Sequence, residues 1–127
     1  MIAVDSSVWI NALRSPGGPE AIVLRSLLDA DEVALPVPVR AELLMGTRTV
    51  NRAALARALA GLPLLYPTDE SWREIDRWTE RLSAAGQTFS VGDLLIGVLA
   101  AELDALVWSL DEDFARLAKL GFIQSYR

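Results

Sequence analysis

The stretch that decides the fold is Ile2-Ala3-Val4-Asp5-Ser6-Ser7-Val8-Trp9-Ile10, which predicts an apolar strand followed by a helix. Residues 2–4 have the continuous apolar character of a strand buried on both faces of a parallel sheet. Asp5 ends this strand, and Ser6 is predicted to cap a helix that begins at Ser7 or Val8. Asp5 is thus expected just beyond the carboxyl end of the strand, where open α/β sheets bind ligands. The alternative is that Asp5 only helps to cap the helix.

Length and composition indicate one globular domain that spans residues 1–127. Hydrophobic residues make up 52% of the chain and charged residues 23%, which is typical of a packed core and argues against disorder. The sequence shows no signal-like segment and no apolar run long enough to cross a bilayer. We therefore expect a cytoplasmic protein without a membrane segment.

The absence of histidine and cysteine limits the chemistry that this chain can perform. It excludes Ser-His-Asp triads, Cys-His pairs, HExxH zinc sites and disulfides. Hydrolysis would therefore have to depend on carboxylates and an oxygen-ligated metal ion. The net charge of −5 argues mildly against a nucleic-acid partner, because phosphate binding usually requires a basic surface.

Short apolar segments alternate with amphipathic segments along the chain. This alternation predicts a three-layer α/β domain in which helices flank a mostly parallel central sheet. Asn51 and Ser90 are the predicted caps of two of the helices. Predicted strands occupy residues 2–4, 33–35, 62–66, 106–108 and 122–123, and predicted helices occupy 7–13, 19–28, 38–45, 52–60, 70–84, 91–103 and 111–120.

Four acidic residues stand near predicted strand ends or helix starts: Asp5, Glu42, Asp93 and Asp111. Glu42 lies about one turn into the helix after the second strand, and Asp93 lies in the first turn of a helix that is apolar all round. Asp111 follows the fourth strand, with Asp113 close by. If all four follow βα-type junctions, they meet at one rim of the sheet, where their mutual repulsion calls for a divalent cation such as Mg²⁺ or Mn²⁺.

Each acid also has a simpler interpretation. Asp93 with Ser90 resembles a capping box, and an acid is favourable at a helix N-terminus in any case. Glu42 is a possible surface partner of Arg40 or Arg48. Asp111 or Asp113 is a possible cap of the last helix.

Four stretches together resemble the PIN-domain ribonucleases, and among them the VapC-type toxins of bacterial toxin–antitoxin pairs. The resemblance spans the whole chain and depends on the order and spacing of the stretches. They are VDSSVWI at 4–10, VRAELLMG at 39–46, GDLLI at 92–96 and VWSLDEDF at 107–114.

The resemblance implies a PIN-like fold and a metal-dependent endoribonuclease with Asp5, Glu42, Asp93 and Asp111 as its acids. One or two Mg²⁺ or Mn²⁺ ions are expected, with Asp5 and Asp93 as the main direct ligands and the other two binding directly or through water. Ser7 and Ser109 are expected to orient ligands by hydrogen bonds. Because relatives vary at this point, Asp113 is the alternative to Asp111.

The resemblance also implies partners: an RNA substrate, a small VapB-like antitoxin that covers the acidic site, and a second copy of the chain. Contact with DNA is expected only through the antitoxin. Candidate phosphate-binding residues are Arg14, Arg40, Arg48 and Arg52, which lie near the acids in sequence. The alternative function is a catalytically silent PIN-like module that acts by binding other proteins.

An apolar run at residues 22–28 and the Trp72 and Trp78 stripe predict that the chain is at least dimeric. Light scattering at micromolar concentration is expected to give at least twice the monomer mass. A monomeric mass under those conditions would contradict this prediction.

Overall fold

The computed structural model describes residues 1–127 as seven helices and four strands. The strands are β1 (Ile2–Val4), β2 (Val33–Pro36), β3 (Leu64–Leu65) and β4 (Leu106–Trp108). The helices are α1 (Ser6–Arg14), α2 (Pro19–Asp29), α3 (Val37–Met45), α4 (Thr49–Leu59), α5 (Asp69–Ala84), α6 (Val91–Glu102) and α7 (Glu112–Lys119). No helix is long and apolar enough to span a membrane.

The four strands form one sheet in the order β3-β2-β1-β4, and every neighbouring pair is parallel. Strand β1 is central, since Ile2 aligns with Val33 of β2 on one side and with Leu106 of β4 on the other. All residues of β1 and β2 are buried, as their continuous apolar sequences predict. The predicted α/β architecture with a parallel central sheet is confirmed, and the carboxyl ends of the strands meet at one edge.

Helix α6 forms the centre of the core and packs against β1, β2 and β4. Its residues Leu94 to Ala100 are all buried, which explains why the helix is apolar all round. Gly97 allows the indole of Trp78 on α5 to lie against the α6 backbone. Trp78 also packs edge-on against Phe122, with ring centroids 5.1 Å apart.

Two predicted helix caps are wrong. Asp5, not Ser6, is the N-cap of α1: its carboxylate accepts a hydrogen bond from the Ser7 N–H at 3.4 Å, and the helix includes Ser6. Helix α4 begins at Thr49 after Arg48, which places Asn51 inside the first turn. There the Asn51 N–H donates to Arg48 O at 2.9 Å, so the turn closes through the backbone without a side-chain cap. The Ser90 cap of α6 is confirmed.

Two predicted strands differ from the structure. Residues 62–66 yield only the two-residue β3, because the Leu62 N–H still belongs to the turn after α4 and donates to Leu59 O. Phe122 is not in a strand, because its N–H donates to Leu117 O and closes the C-terminus of α7. Gly121, at φ +87°, makes this closure possible. Pairing with β4 occurs two to four residues later, where Val107 bonds to Gln124 and Tyr126.

The apolar residues invoked for self-association are divided between core and surface. Trp78 is buried at 4% exposure, whereas Trp72 is 45% exposed and Ile22 is 56% exposed. Trp72 and Ile22 therefore remain available for contacts between copies, and Trp78 does not.

The packing of α6 predicts the effect of Gly97→Ala on stability. A Cβ at residue 97 would lie 3.1 Å from a ring carbon of Trp78 and 3.4 Å from Ile123 Cγ2. We expect Gly97→Ala to lower the free energy of unfolding by about 1–3 kcal/mol, measured by urea denaturation. Gly92→Ala in the same helix is the control, since only Ser90 Oγ at 3.9 Å is near its Cβ, and up to about 1 kcal/mol of stabilisation is expected. Equal stability of Gly97→Ala and the wild type would contradict this account.

Candidate active site

Asp5 lies at the carboxyl end of β1, where its own N–H donates to Trp108 O of β4 at 2.9 Å. The side chain is 6% exposed, and its Oδ2 atom accepts hydrogen bonds from Ser7 Oγ at 2.8 Å and Ser109 Oγ at 2.9 Å. A buried carboxylate requires such partners to remain charged. The two hydroxyls therefore hold Asp5 in one orientation at the edge of the sheet.

Ser7 and Ser109 also connect β1 and β4 to each other. Their Oγ atoms are 3.2 Å apart, the Leu110 N–H donates to Ser7 Oγ at 3.0 Å, and the Asp111 N–H donates to Ser109 Oγ at 3.0 Å. The structure thus places both serines in direct contact with Asp5 and fixes the chain that leads to Asp111.

Asp93, Asp111 and Asp113 form a group in which one carboxylate oxygen from each residue lies within 4.8 Å of the other two, and we call this group the acid cluster. Asp111 Oδ1 accepts from the Asp113 N–H at 2.9 Å and so caps α7. Asp113 lies in the cluster together with Asp111. An all-oxygen, all-acidic donor set is the kind that Mg²⁺ and Mn²⁺ prefer.

The structure corrects how Asp93 reaches this edge of the sheet. Helix α6 follows helix α5 in the chain, so Asp93 does not follow a βα junction, and only Asp5, Glu42 and Asp111 do. Asp93 arrives because α6 packs across the sheet and against α7. The Ser90 hydroxyl accepts from the Asp93 N–H at 3.1 Å and fixes the first turn of α6.

Partial burial raises the pKa of Asp93 to about 6, from an ordinary value of 3.8. The Ser90 side chain acts against this rise, and the negative charges of Asp111 and Asp113 add to it. The acid cluster is therefore an environment that disfavours three simultaneous negative charges. A bound cation would remove that conflict.

Glu42 stands apart from the acid cluster, on the exposed face of α3. Its Oε2 atom accepts from Ser6 Oγ at 3.0 Å, which connects it to the start of α1 beside Asp5. Glu42 does not pair with Arg40 or Arg48, and neither of these arginines forms a salt bridge. Ser6, singled out only as a cap, is thus the residue that positions Glu42.

The four candidate arginines differ in their surroundings. Arg14 and Glu42 line the same cleft of about 290 Å³ between α1 and α3, which places a cation beside the site. Arg52 donates to Leu44 O at 3.1 Å and Thr47 O at 3.3 Å and so stabilises the end of α3. Arg40 is half-buried and Arg48 is exposed, and neither has a partner that ties it to the site.

One residue of the site was not singled out from the sequence. Arg116 of α7 forms a salt bridge with Asp113, with Nη2 and Oδ1 2.9 Å apart. Its spacing of three residues from Asp113 on one helix was the available signal.

Comparison with known proteins identifies the family of the chain. Residues 2–120 match the PIN domain family. The VapC ribonuclease Mb1587 of Mycobacterium bovis and ribonuclease VapC11 of Mycobacterium tuberculosis are each 32% identical to the chain over 130 residues, which covers 98% of this chain and 97% of each relative. The chain therefore belongs to the PIN-domain family, and within it to the VapC-type ribonucleases, as the four sequence stretches predict.

Solved VapBC structures share the fold of this chain. VapBC2 from Rickettsia felis, bound to a DNA fragment from its promoter, matches with a TM-score of 0.80 at 19% identity, over 98% of this chain and 97% of that one. VapBC-5 from Mycobacterium tuberculosis, a member of the VapBC family of toxin–antitoxin systems, matches with a TM-score of 0.70 at 26% identity, over 98% and 96%.

The raised pKa of Asp93 predicts a pH-dependent loss of stability in the absence of metal. Because the folded pKa of about 6 exceeds the ordinary 3.8, the folded state binds more protons, and the cost of ionising Asp93 grows as pH rises between these values. We compare melting temperatures of the wild type and Asp93→Asn in EDTA. The value for the wild type minus that for the variant should decrease as the pH is raised from about 4 to about 7. Asp76→Asn on α5 controls for the loss of a carboxylate. A difference that is constant with pH would contradict the prediction.

Proposed function

We propose that this chain is the toxin of a toxin–antitoxin pair and cleaves RNA with the help of one or two Mg²⁺ or Mn²⁺ ions. The observation that supports metal dependence most directly is the acid cluster, in which one carboxylate oxygen of each member lies within 4.8 Å of the other two. Its members Asp93, Asp111 and Asp113 would hold the ion. Asp5, joined to Asp111 through Ser109, and Glu42, joined to α1 through Ser6, are the proposed additional acids.

A divalent ion bound there would supply an activated water and would stabilise the negative charge that develops on the scissile phosphate. The chain's own residues keep the carboxylates in place. Ser7 and Ser109 hold Asp5, and the α7 N-terminus holds Asp111. Preorganised carboxylates require little rearrangement when the ion and the substrate bind.

The acidity of the chain is compatible with an RNA substrate once the ions are counted. Two divalent ions add four positive charges to the net charge of −5, which gives −1. Arg14 lies in the same cleft as Glu42 and has no salt bridge, so its guanidinium is the best placed of the four arginines to bind a phosphate. Arg40 and Arg48 are candidates for weaker contacts.

The relatives support the proposed partners. VapBC structures from other organisms pair a toxin with an antitoxin, and one of them carries a promoter DNA fragment. We extend this arrangement to the present chain, as a cytoplasmic homodimer that binds a VapB-like antitoxin and meets DNA only through it. The ribonuclease names of the relatives and the acid cluster favour an enzyme over the catalytically silent binding module.

Cleavage of total RNA by antitoxin-free protein tests the proposal. With Mg²⁺ or Mn²⁺ we expect discrete fragments, resolved on a denaturing gel, and we expect EDTA to abolish them. Asp93→Asn should reduce the rate by at least about 100-fold, the usual cost of losing a group that stabilises a transition state electrostatically. Asp76→Asn, a matched change on the exposed face of α5, should cleave like the wild type.

Two outcomes would contradict the proposal. Cleavage that survives both EDTA and Asp93→Asn would show that the acid cluster is not the site. A folded, antitoxin-free protein that cleaves no RNA with either metal would favour the binding module.

A further inference from the structure

Arg116 on α7 contacts both its own helix and the segment that precedes α6. Its Nη2 atom donates to Asp113 Oδ1 at 2.9 Å, and its Nη1 atom donates to Gln87 Oε1 at 2.7 Å. The guanidinium also stacks on the ring of Phe89, with its central carbon 4.1 Å from the ring centroid. One planar cation therefore contacts a member of the acid cluster and the segment that precedes α6.

That segment, residues 85–90, connects α5 to the helix that bears Asp93. It is anchored on α5, because the Gln87 N–H donates to Leu82 O at 2.8 Å and Gly86 adopts φ +71°. It ends at Ser90, whose hydroxyl accepts from the Asp93 N–H. Arg116 thus joins the segment that sets the position of Asp93 to the carboxylate of Asp113.

These contacts close a ring of interactions around the acid cluster. From the 85–90 segment the ring passes through Arg116 to Asp113, from Asp113 to the neighbouring Asp93, and from Asp93 back to Ser90. The Asp113 carboxylate is held by Arg116, and the Asp93 backbone is held by Ser90. The arrangement fixes the spacing between the first turns of α6 and α7.

Stability alone does not account for this arrangement. The side chains of Arg116 and Asp113 are 44% and 41% exposed, and an ion pair with such exposure contributes little to folding. What the guanidinium offers is geometry, since its fork of donors reaches Asp113 Oδ1, Gln87 Oε1 and, at 3.5 Å, Thr88 O, while its face stacks on an aromatic ring. Lysine cannot make these contacts together.

We propose that Arg116 is a positioning residue of the metal site, which braces Asp113 and the 85–90 segment so that Asp93 and Asp113 are held at the spacing a divalent ion needs. This inference rests on the proposed function, because it assigns Arg116 a task at the same acid cluster. Groups that orient metal ligands in this way typically contribute about 10- to 100-fold to metal affinity or activity.

Bracing and simple charge neutralisation predict opposite effects on metal binding. A cation next to a metal site repels the metal, so if Arg116 contributed only charge, Arg116→Met would strengthen binding and Arg116→Lys would leave it unchanged. If Arg116 is a brace, both variants weaken binding, because neither can span Gln87 and Asp113. Gln87→Met removes one of the contacts that Arg116 makes with the 85–90 segment, retains those with Thr88 O and the Phe89 ring, and leaves the charge beside Asp113 unaltered.

Mn²⁺ binding to the full-length, antitoxin-free chain separates the two roles. Loss of the room-temperature electron paramagnetic resonance signal of free Mn²⁺ reports binding without any need for catalysis. We expect Arg116→Met and Arg116→Lys to raise the dissociation constant by about 10-fold or more, and Gln87→Met by a smaller factor in the same direction. Arg73→Met is the matched control, since it removes another exposed arginine paired with an acid three residues away. It should bind like the wild type.

RNA cleavage gives a second measurement. Arg116→Met should lose activity at limiting Mn²⁺ and recover much of it as Mn²⁺ is raised, because its defect is in assembling the metal site. Circular dichroism in EDTA verifies that the variants are folded. The brace would be overturned if Mn²⁺ bound at least as tightly as in the wild type to all three variants, Arg116→Met, Arg116→Lys and Gln87→Met. This result would leave the proposed function intact. A wild type that binds no Mn²⁺ would overturn the metal site and the brace together.

Discussion

Carboxylates that repel one another are gathered at one edge of the parallel sheet, and much of the surrounding structure offsets that repulsion. Asp5 caps α1, Asp111 caps α7 and Asp93 lies in the first turn of α6, so three helix N-termini direct their positive ends toward the acids. Serine hydroxyls stabilise Asp5, and Arg116 forms a salt bridge with Asp113. Burial, together with the smaller effect of the negative charges of Asp111 and Asp113, still raises the pKa of Asp93 to about 6, so the charge of the acids is not fully offset. The remaining imbalance is what a bound cation would remove.

Capping and metal binding are compatible roles for these acids. A carboxylate has two oxygens, and in both capping acids one oxygen makes all the hydrogen bonds to the protein. Oδ2 of Asp5 accepts from Ser7 and Ser109, and Oδ1 of Asp111 accepts from the Asp113 N–H. The second oxygen of each acid is left for another ligand. An acid that caps a helix at the carboxyl end of a strand is therefore well placed to bind a metal ion. The cap fixes the orientation of the carboxylate through one oxygen and leaves the other oxygen free.

The sequence predicts the parts of this structure that depend on local patterns. Continuous apolar strands, the apolar α6 and the acids at strand ends were sufficient to give the parallel sheet and its acidic edge. Features set by distant packing were not predictable in the same way. Asp93 reaches the site through the packing of α6, and Arg116 finds Gln87 from 29 residues away, so neither position follows from neighbouring residues. Phe122 is apolar like a strand residue, but the turn at Gly121 directs the Phe122 N–H to Leu117 O at the end of α7, where it cannot pair with β4.

The site has two sides that differ in charge. On the side of α6 and α7 the acid cluster is adjacent to Arg116, whose guanidinium contacts Asp113, Gln87, Thr88 and Phe89. On the side of α1 and α3, Glu42 shares a cleft with Arg14, which has no such partner. In the proposed enzyme the first side would hold the ion and the second would offer an arginine to the phosphate backbone of RNA. A chain that is acidic overall can thus bind a polyanion, because the positive charge that matters is concentrated at the scissile bond.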